Sequence, residues 1–116
     1  MIIKIIPALK NIKISTLSGK TLTAKPMLNI VYTTSFKKDF KKSSKQNKNL
    51  ESLKELIQKL QSRSILELKY RDHPLSGNYK GKRDCHITPD WLLVYEIDGD
   101  NLVLHRLGSH SELFRR

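Results

Sequence analysis

The sequence predicts an α+β domain in which one strand and two helices precede an antiparallel meander of three strands. Three observations carry this. Leu50, Leu53, Leu56, Ile57 and Leu60 recur at helical spacing. Past Lys82 the pattern changes to strands, KRDCHI, WLLVYEI and LVLHRL, the last two joined by a tight DGDN turn at Asp98 to Asn101. Near the other end Leu28, Ile30 and Tyr32 alternate with Asn29, Val31 and Thr33, as a strand with one buried face requires.

Residues 1–26 carry five lysines and no acid, and Pro7, Gly19 and Pro26 interrupt any regular pattern. They lack the uninterrupted apolar core of about 7 to 15 residues found in a secretory signal. We read them as a disordered or loosely attached extension. Met27 opens the patterned run and offers an alternative translation start, which makes residues 27–116 the domain. After the first strand, Thr34 or Ser35 is placed to cap a helix whose apolar contacts are Phe36 and Phe40. Around them stand Lys37, Lys38, Lys41, Lys42, Lys45 and Lys48, against a single acid, Asp39. A solvated face and a phosphate-binding face both fit that charge. Asn49 caps the second helix, and its leucine stripe is core. Residues 63–81, with Pro74, Gly77 and Gly81 in a polar setting, read as a long loop that carries His73. WLLVYEI is apolar on both faces, which suits a central strand with helices on one side.

With 116 residues the chain holds one modest core. Its charge of +11, from 22 basic and 11 acidic residues, suits a polyphosphate or acidic partner. The single cysteine excludes an internal disulfide and fits a reducing compartment, and no apolar run reaches the roughly 20 residues of a membrane span. A cytoplasmic protein without a membrane partner follows as the expectation.

All four histidines (His73, His86, His105, His110) lie between Tyr70 and the end, with Asp72, Asp84, Asp90 and the only tryptophan, Trp91. Imidazoles exchange protons near neutral pH, so this crowding in a basic chain points to acid-base chemistry on an anion. Strand alternation puts Lys82, Asp84 and His86 on one face and Arg83, Cys85 and Ile87 on the other. Asp84 is thereby expected to orient His86, and Cys85 to be a buried filler. Neighbouring Cys85 and His86 on opposite faces do not share an ion, and no CxxC or HxxxH spacing exists, so neither metal nor cofactor is predicted.

The run DHPLSGNYKGKRDCHITPDWLLVYEI followed by LHRLGSHSELF resembles the signature of YafQ-type toxins in the RelE/ParE superfamily. The resemblance covers residues 27–116, including the opening MLNIVYTTSFKKDF, and leaves 1–26 without a counterpart. It implies a RelE-like fold, a small twisted antiparallel sheet (β-α-α-β-β-β) with two helices packed on one face and a short C-terminal helical tail. It also implies the toxin of a type II toxin-antitoxin pair, acting as a ribosome-dependent mRNA endonuclease without metal or cofactor. Its implied partners are the 70S ribosome, mRNA and a cognate antitoxin through which the complex binds operator DNA. By the same resemblance the catalytic residues are His73, Asp84, His86, Asp90 and His110, with Trp91 and Phe114 completing the motif. Cys85 departs from the pattern at a position where small residues are also accepted, and His105 has no catalytic counterpart.

Metal-free RNA cleavage needs a base for the 2′-hydroxyl, an acid for the leaving 5′-oxygen and a cation for the phosphate. His86 or His73 is a candidate base and His110 a candidate acid. Lys82, Arg83 and Arg106 are candidate cations. Trp91 and Phe114 offer rings on which bases stack, although Trp91 at a strand start fits a core position equally well. Two rivals remain at this point: a ParE-like toxin that docks on a protein target, and a basic nucleic-acid-binding module. Neither explains the clustered histidines and aspartates.

Overall fold

The computed structural model describes residues 27–114, so the reading of residues 1–26 as an extension lies outside the described residues. Strand β1 (Asn29–Tyr32) is followed by helices α1 (Thr34–Lys45) and α2 (Leu50–Gln61). Then come β2 (His73–Pro74), β3 (Arg83–Thr88), β4 (Trp91–Asp98), β5 (Asn101–Gly108) and a short helix α3 (His110–Phe114). The strands form one sheet in the order β1-β5-β4-β3-β2.

The meander β3-β4-β5 is antiparallel as expected, and its last hairpin turns through Gly99, whose φ of +62° favours glycine. The sheet is nevertheless mixed, because β1 joins the far edge parallel to β5, with Asn29 opposite Asn101 and Tyr32 opposite Leu104. Alternation along a strand specifies its buried face and not the direction of its neighbour, so this pairing was not legible.

Helix α1 is capped by Thr33, not by Thr34 or Ser35. Its Oγ1 accepts from the Phe36 N–H at 3.0 Å and donates to the Leu104 carbonyl at 2.9 Å. One side chain thus closes the helix and ties it to β5. Asn49 caps α2 as predicted, accepting from the Glu51 and Ser52 N–H groups at 3.1 and 3.2 Å. Phe36 and Phe40 of α1 and Leu53, Leu56, Ile57 and Leu60 of α2 pack with Leu93, Tyr95, Leu102 and Leu104 of the sheet. Each such side chain contributes roughly 1.5–3 kcal/mol by leaving water. The opposite face carries a second, smaller cluster in which Leu113 of α3 covers Leu92 and Val94. Hence WLLVYEI is apolar on both faces.

The long loop expected over 63–81 is interrupted by two 3-10 turns, Leu68–Tyr70 and Gly77–Tyr79, and by β2. His73 is therefore a strand residue, paired with Asp84 across β2 and β3. Pro74 argues against a strand in sequence, yet β2 is the sheet's edge, where a missing N–H goes unused. Among the described residues no helix is long and apolar enough to cross a membrane.

Candidate active site

Alternation along β3 turns Asp84 and His86 towards the α3 side, 2% and 8% exposed, while Cys85 between them enters the main core. Burial pushes the Cys85 thiol well up, as befits an inert filler. His73 faces Asp84 from the neighbouring strand, with its Nδ1 3.4 Å from Asp84 Oδ1. The same Nδ1 lies 2.7 Å from the Arg71 carbonyl. A carbonyl only accepts, so Nδ1 carries the proton and Nε2 of the neutral ring keeps its lone pair. The rings of His73 and His86 have centroids 6.5 Å apart, and those of His86 and His110 5.6 Å. Strands β2 and β3 and the start of α3 thus set three imidazoles side by side, which is the grouping the sequence suggested.

One contact differs from the expectation. Asp84 was expected to orient His86, but the imidazole that faces it within ion-pair distance among the described residues is that of His73. Residues two apart along a strand are separated by about 6.6 Å of rise, whereas directly paired residues have Cβ atoms about 4.5–5.5 Å apart. The cross-strand neighbour is nearer.

Asp90, in the turn between β3 and β4, accepts from the His110 N–H at 3.1 Å, and its Oδ1 is 3.4 Å from His110 Nδ1. The backbone N–H of His110, more than its ring, holds the Asp90 carboxyl below the ordinary range. Asp84 goes the other way: burial pushes its carboxyl up, against the opposing pull of His73, His86 and His110, and its Oδ1 has no hydrogen-bond partner. A carboxyl with a raised folded pKa binds more protons folded than unfolded. Stability then falls as pH rises from the unfolded towards the folded pKa, and the whole penalty is present at neutral pH. Asp84→Asn is accordingly expected to raise the melting temperature at pH 7. The gain should vanish below about pH 3, where the wild-type carboxyl is protonated in both states. Thermal melts at the two pH values check this, and a lower Tm at pH 7 refutes it.

The candidate cations separate. Arg83 points to the helix-covered face, where its Nε donates to Asp72 at 3.2 Å, and Asp72 also accepts from the Tyr95 hydroxyl. It borders a cleft of about 770 Å³ lined by Arg71, Asp72, Tyr95 and Ile97 among others and by no histidine. Arg83 is therefore not a phosphate ligand of the histidine group. Arg106 is held by both oxygens of Asp39, at 2.7 and 3.3 Å, which ties β5 to α1 and offsets its charge with that carboxylate. Lys82 has no acidic partner among the described residues. Trp91 is 1% exposed and donates from Nε1 to Ser43 Oγ at 3.2 Å, so it is core and offers no face to a base. Phe114 is half-buried, 5.5 Å from the Tyr79 ring and 5.9 Å from His110. His105 Nε2 donates to the Glu96 carboxylate at 2.9 Å and stands apart from the trio, as expected.

Tyr79 and Glu112 were not singled out in the sequence, and Asp39 was marked there only as the one acid among the lysines of α1. Asp39 is the acid that would have offset the lysines of α1, and with its carboxylate spent on Arg106 and the Leu107 N–H the exposed Lys37, Lys38, Lys41 and Lys45 form an uncompensated basic face. Lys42 reaches across to Glu112 of α3 at 2.6 Å, so that face abuts the helix bearing His110. Among the described residues no three His, Cys, Asp or Glu side chains are placed to hold one metal ion.

The family of "Bacterial toxin of type II toxin-antitoxin system, YafQ" matches residues 28–115. The chain belongs to this YafQ toxin family. It is 40% identical over 86 residues to the mRNA interferase toxin YafQ of Escherichia coli K12, covering 73% of this chain and 94% of that one. Its YafQ fold also resembles the toxin of the E. coli DinJ-YafQ toxin-antitoxin complex, at TM-score 0.71 and 38% identity over 76% of this chain and 98% of that one. A metal-bound toxin from Helicobacter pylori is similar at TM-score 0.72 and 46% identity, over 76% and 100% of the two chains. The α+β, RelE-like architecture inferred from the sequence is thus that of the YafQ toxins.

Proposed function

We propose that this YafQ-family toxin is an mRNA endoribonuclease that acts on the ribosome by metal-independent acid-base catalysis and is neutralised by a cognate antitoxin. The observation that carries the reading is the side-by-side placement of His73, His86 and His110 with Asp84 and Asp90. The mRNA interferase activity named for the E. coli relative and the toxin-antitoxin complex of an E. coli YafQ with DinJ support it.

In this reading Nε2 of His73, left with its lone pair, takes the proton of the RNA 2′-hydroxyl. The freed oxygen attacks the adjacent phosphorus in line, the bond to the 5′-oxygen breaks, and His110 returns a proton to that oxygen. His86 sits between them, within reach of the phosphate, and shares with Lys82 the stabilisation of charge developing on it. The Arg71 carbonyl orients His73, Asp84 sets its charge beside that ring, and Asp90 orients His110. Phe114 offers the ring for a splayed base, and the basic face of α1 holds ribosomal or messenger phosphates.

The decisive experiment for the chemistry is cleavage in a purified translation system treated with a chelator that removes transition metals and spares magnesium. Undiminished cleavage is expected. Loss of cleavage that zinc or copper restores refutes the metal-independent mechanism and aligns this chain with the metal-bound H. pylori relative.

A further inference from the structure

We propose that Glu112 is a positioning residue for His110, fixing the imidazole against His86 through two contacts of its carboxylate and one of its backbone N–H. The inference rests on the proposed catalytic role of His110.

Helix α3 has only five residues, and so short a helix has no stability of its own in water. Its place is set by what it is fastened to. Leu113 enters the small core, and Asp90 accepts the His110 N–H. The Tyr79 hydroxyl donates to the Leu113 carbonyl at 3.4 Å near the helix end, and Glu112 fastens its first turn. Its Oε1 accepts from the Ser109 N–H at 2.9 Å, while its own N–H donates to Ser109 Oγ at 3.2 Å, a reciprocal pair that closes the first turn around His110. Its other oxygen meets Lys42 Nζ of α1 at 2.6 Å. The backbone makes room for this. A Cβ on Gly108 would stand 2.9 Å from Glu112 Oε1 and 3.1 Å from Leu113, so glycine is the residue that lets the carboxylate fold back over the strand end.

Lys42 and then the Ser109 N–H hold the Glu112 carboxyl down at about 2, which leaves it ionised at any pH at which ribosomes work. It therefore has no proton to exchange, and what it supplies is geometry. An exposed ion pair alone contributes little to stability. Misplacing a reacting group by about 1 Å, in contrast, costs on the order of 10² in rate.

The test measures ribosome-dependent cleavage by the full chain as separate kcat and KM, with the ring signals of His110 followed by NMR. Glu112→Ala is expected to lower kcat about tenfold at unchanged KM for programmed ribosomes and to shift or broaden the His110 signals. Glu112→Gln, which keeps an acceptor for Ser109, recovers most of the rate. Gly108→Ala, which displaces the carboxylate without removing it, behaves like Glu112→Ala. In a His110→Ala background, Glu112→Ala adds no further loss. Two results overturn the proposal: His110 signals unchanged by Glu112→Ala, or the same loss with and without His110. A fully active His110→Ala variant instead sinks the catalytic reading of His110, and the NMR comparison then decides the positioning on its own.

Discussion

Alanine at His110 or His73, or glutamine at His86, is expected to lower ribosome-dependent mRNA cleavage by about 10² to 10⁴-fold, the range for losing one acid-base group. Glutamine is chosen at His86 because that side chain is buried at 8% exposure, and a volume-conserving change there avoids opening a cavity. His73 and His110 are exposed, so alanine at either leaves stability within about 0.5 kcal/mol. All three variants are therefore expected to remain folded and to be captured by the antitoxin as the wild type is. His105→Ala is the internal control, since its ring is spent on Glu96 away from the trio, and cleavage should hold. Should the substitutions at His86 and His110 both stay fully toxic while alanines across Lys37 to Lys48 abolish toxicity, the protein acts by binding and the nuclease reading fails.

The parts of this site that were legible in sequence are those governed by short-range periodicity. Alternation along RDCHIT put Asp84 and His86 on one face and Cys85 on the other, and the leucine stripe of α2 gave the helix-covered core. What was not legible depends on pairing between distant segments. His73 became Asp84's neighbour only because β2 pairs with β3, and no local pattern marks a two-residue strand containing proline. Arg83 and Arg106 looked like free cations because Asp72 and Asp39, the acids that hold them, are 11 and 67 residues away in the chain. Glu112 is the instructive miss. Ser109 and Glu112 stand at the S-x-x-E spacing of a capping box, a signal present in the sequence and passed over because the helix it begins is so short.

The last prediction concerns Trp91, where core and base-stacking readings diverge most. Trp91→Ala is expected to cost about 3–5 kcal/mol, the usual loss for a large aromatic in a packed core. Against a total stability of roughly 5–15 kcal/mol that leaves a marginal fold, with Tm lower by about 4–8 °C for each kcal/mol. Loss of cleavage in that variant would say nothing about RNA contact. Trp91→Phe separates the readings. It keeps an apolar ring among the core residues, but removes the N–H that reaches Ser43 Oγ at 3.2 Å, stranding a hydroxyl only 3% exposed. A buried hydroxyl left unpaired costs about 1–3 kcal/mol, and adding Ser43→Ala to Trp91→Phe should recover part of it, because an absent hydroxyl needs no partner. Cleavage per folded molecule is expected to match the wild type in both variants, as determined by chemical denaturation alongside the ribosome assay. A folded Trp91→Phe protein with cleavage reduced 10²-fold would show that the indole meets RNA after all, and would require the strand end to open so that a ring now 1% exposed could be reached.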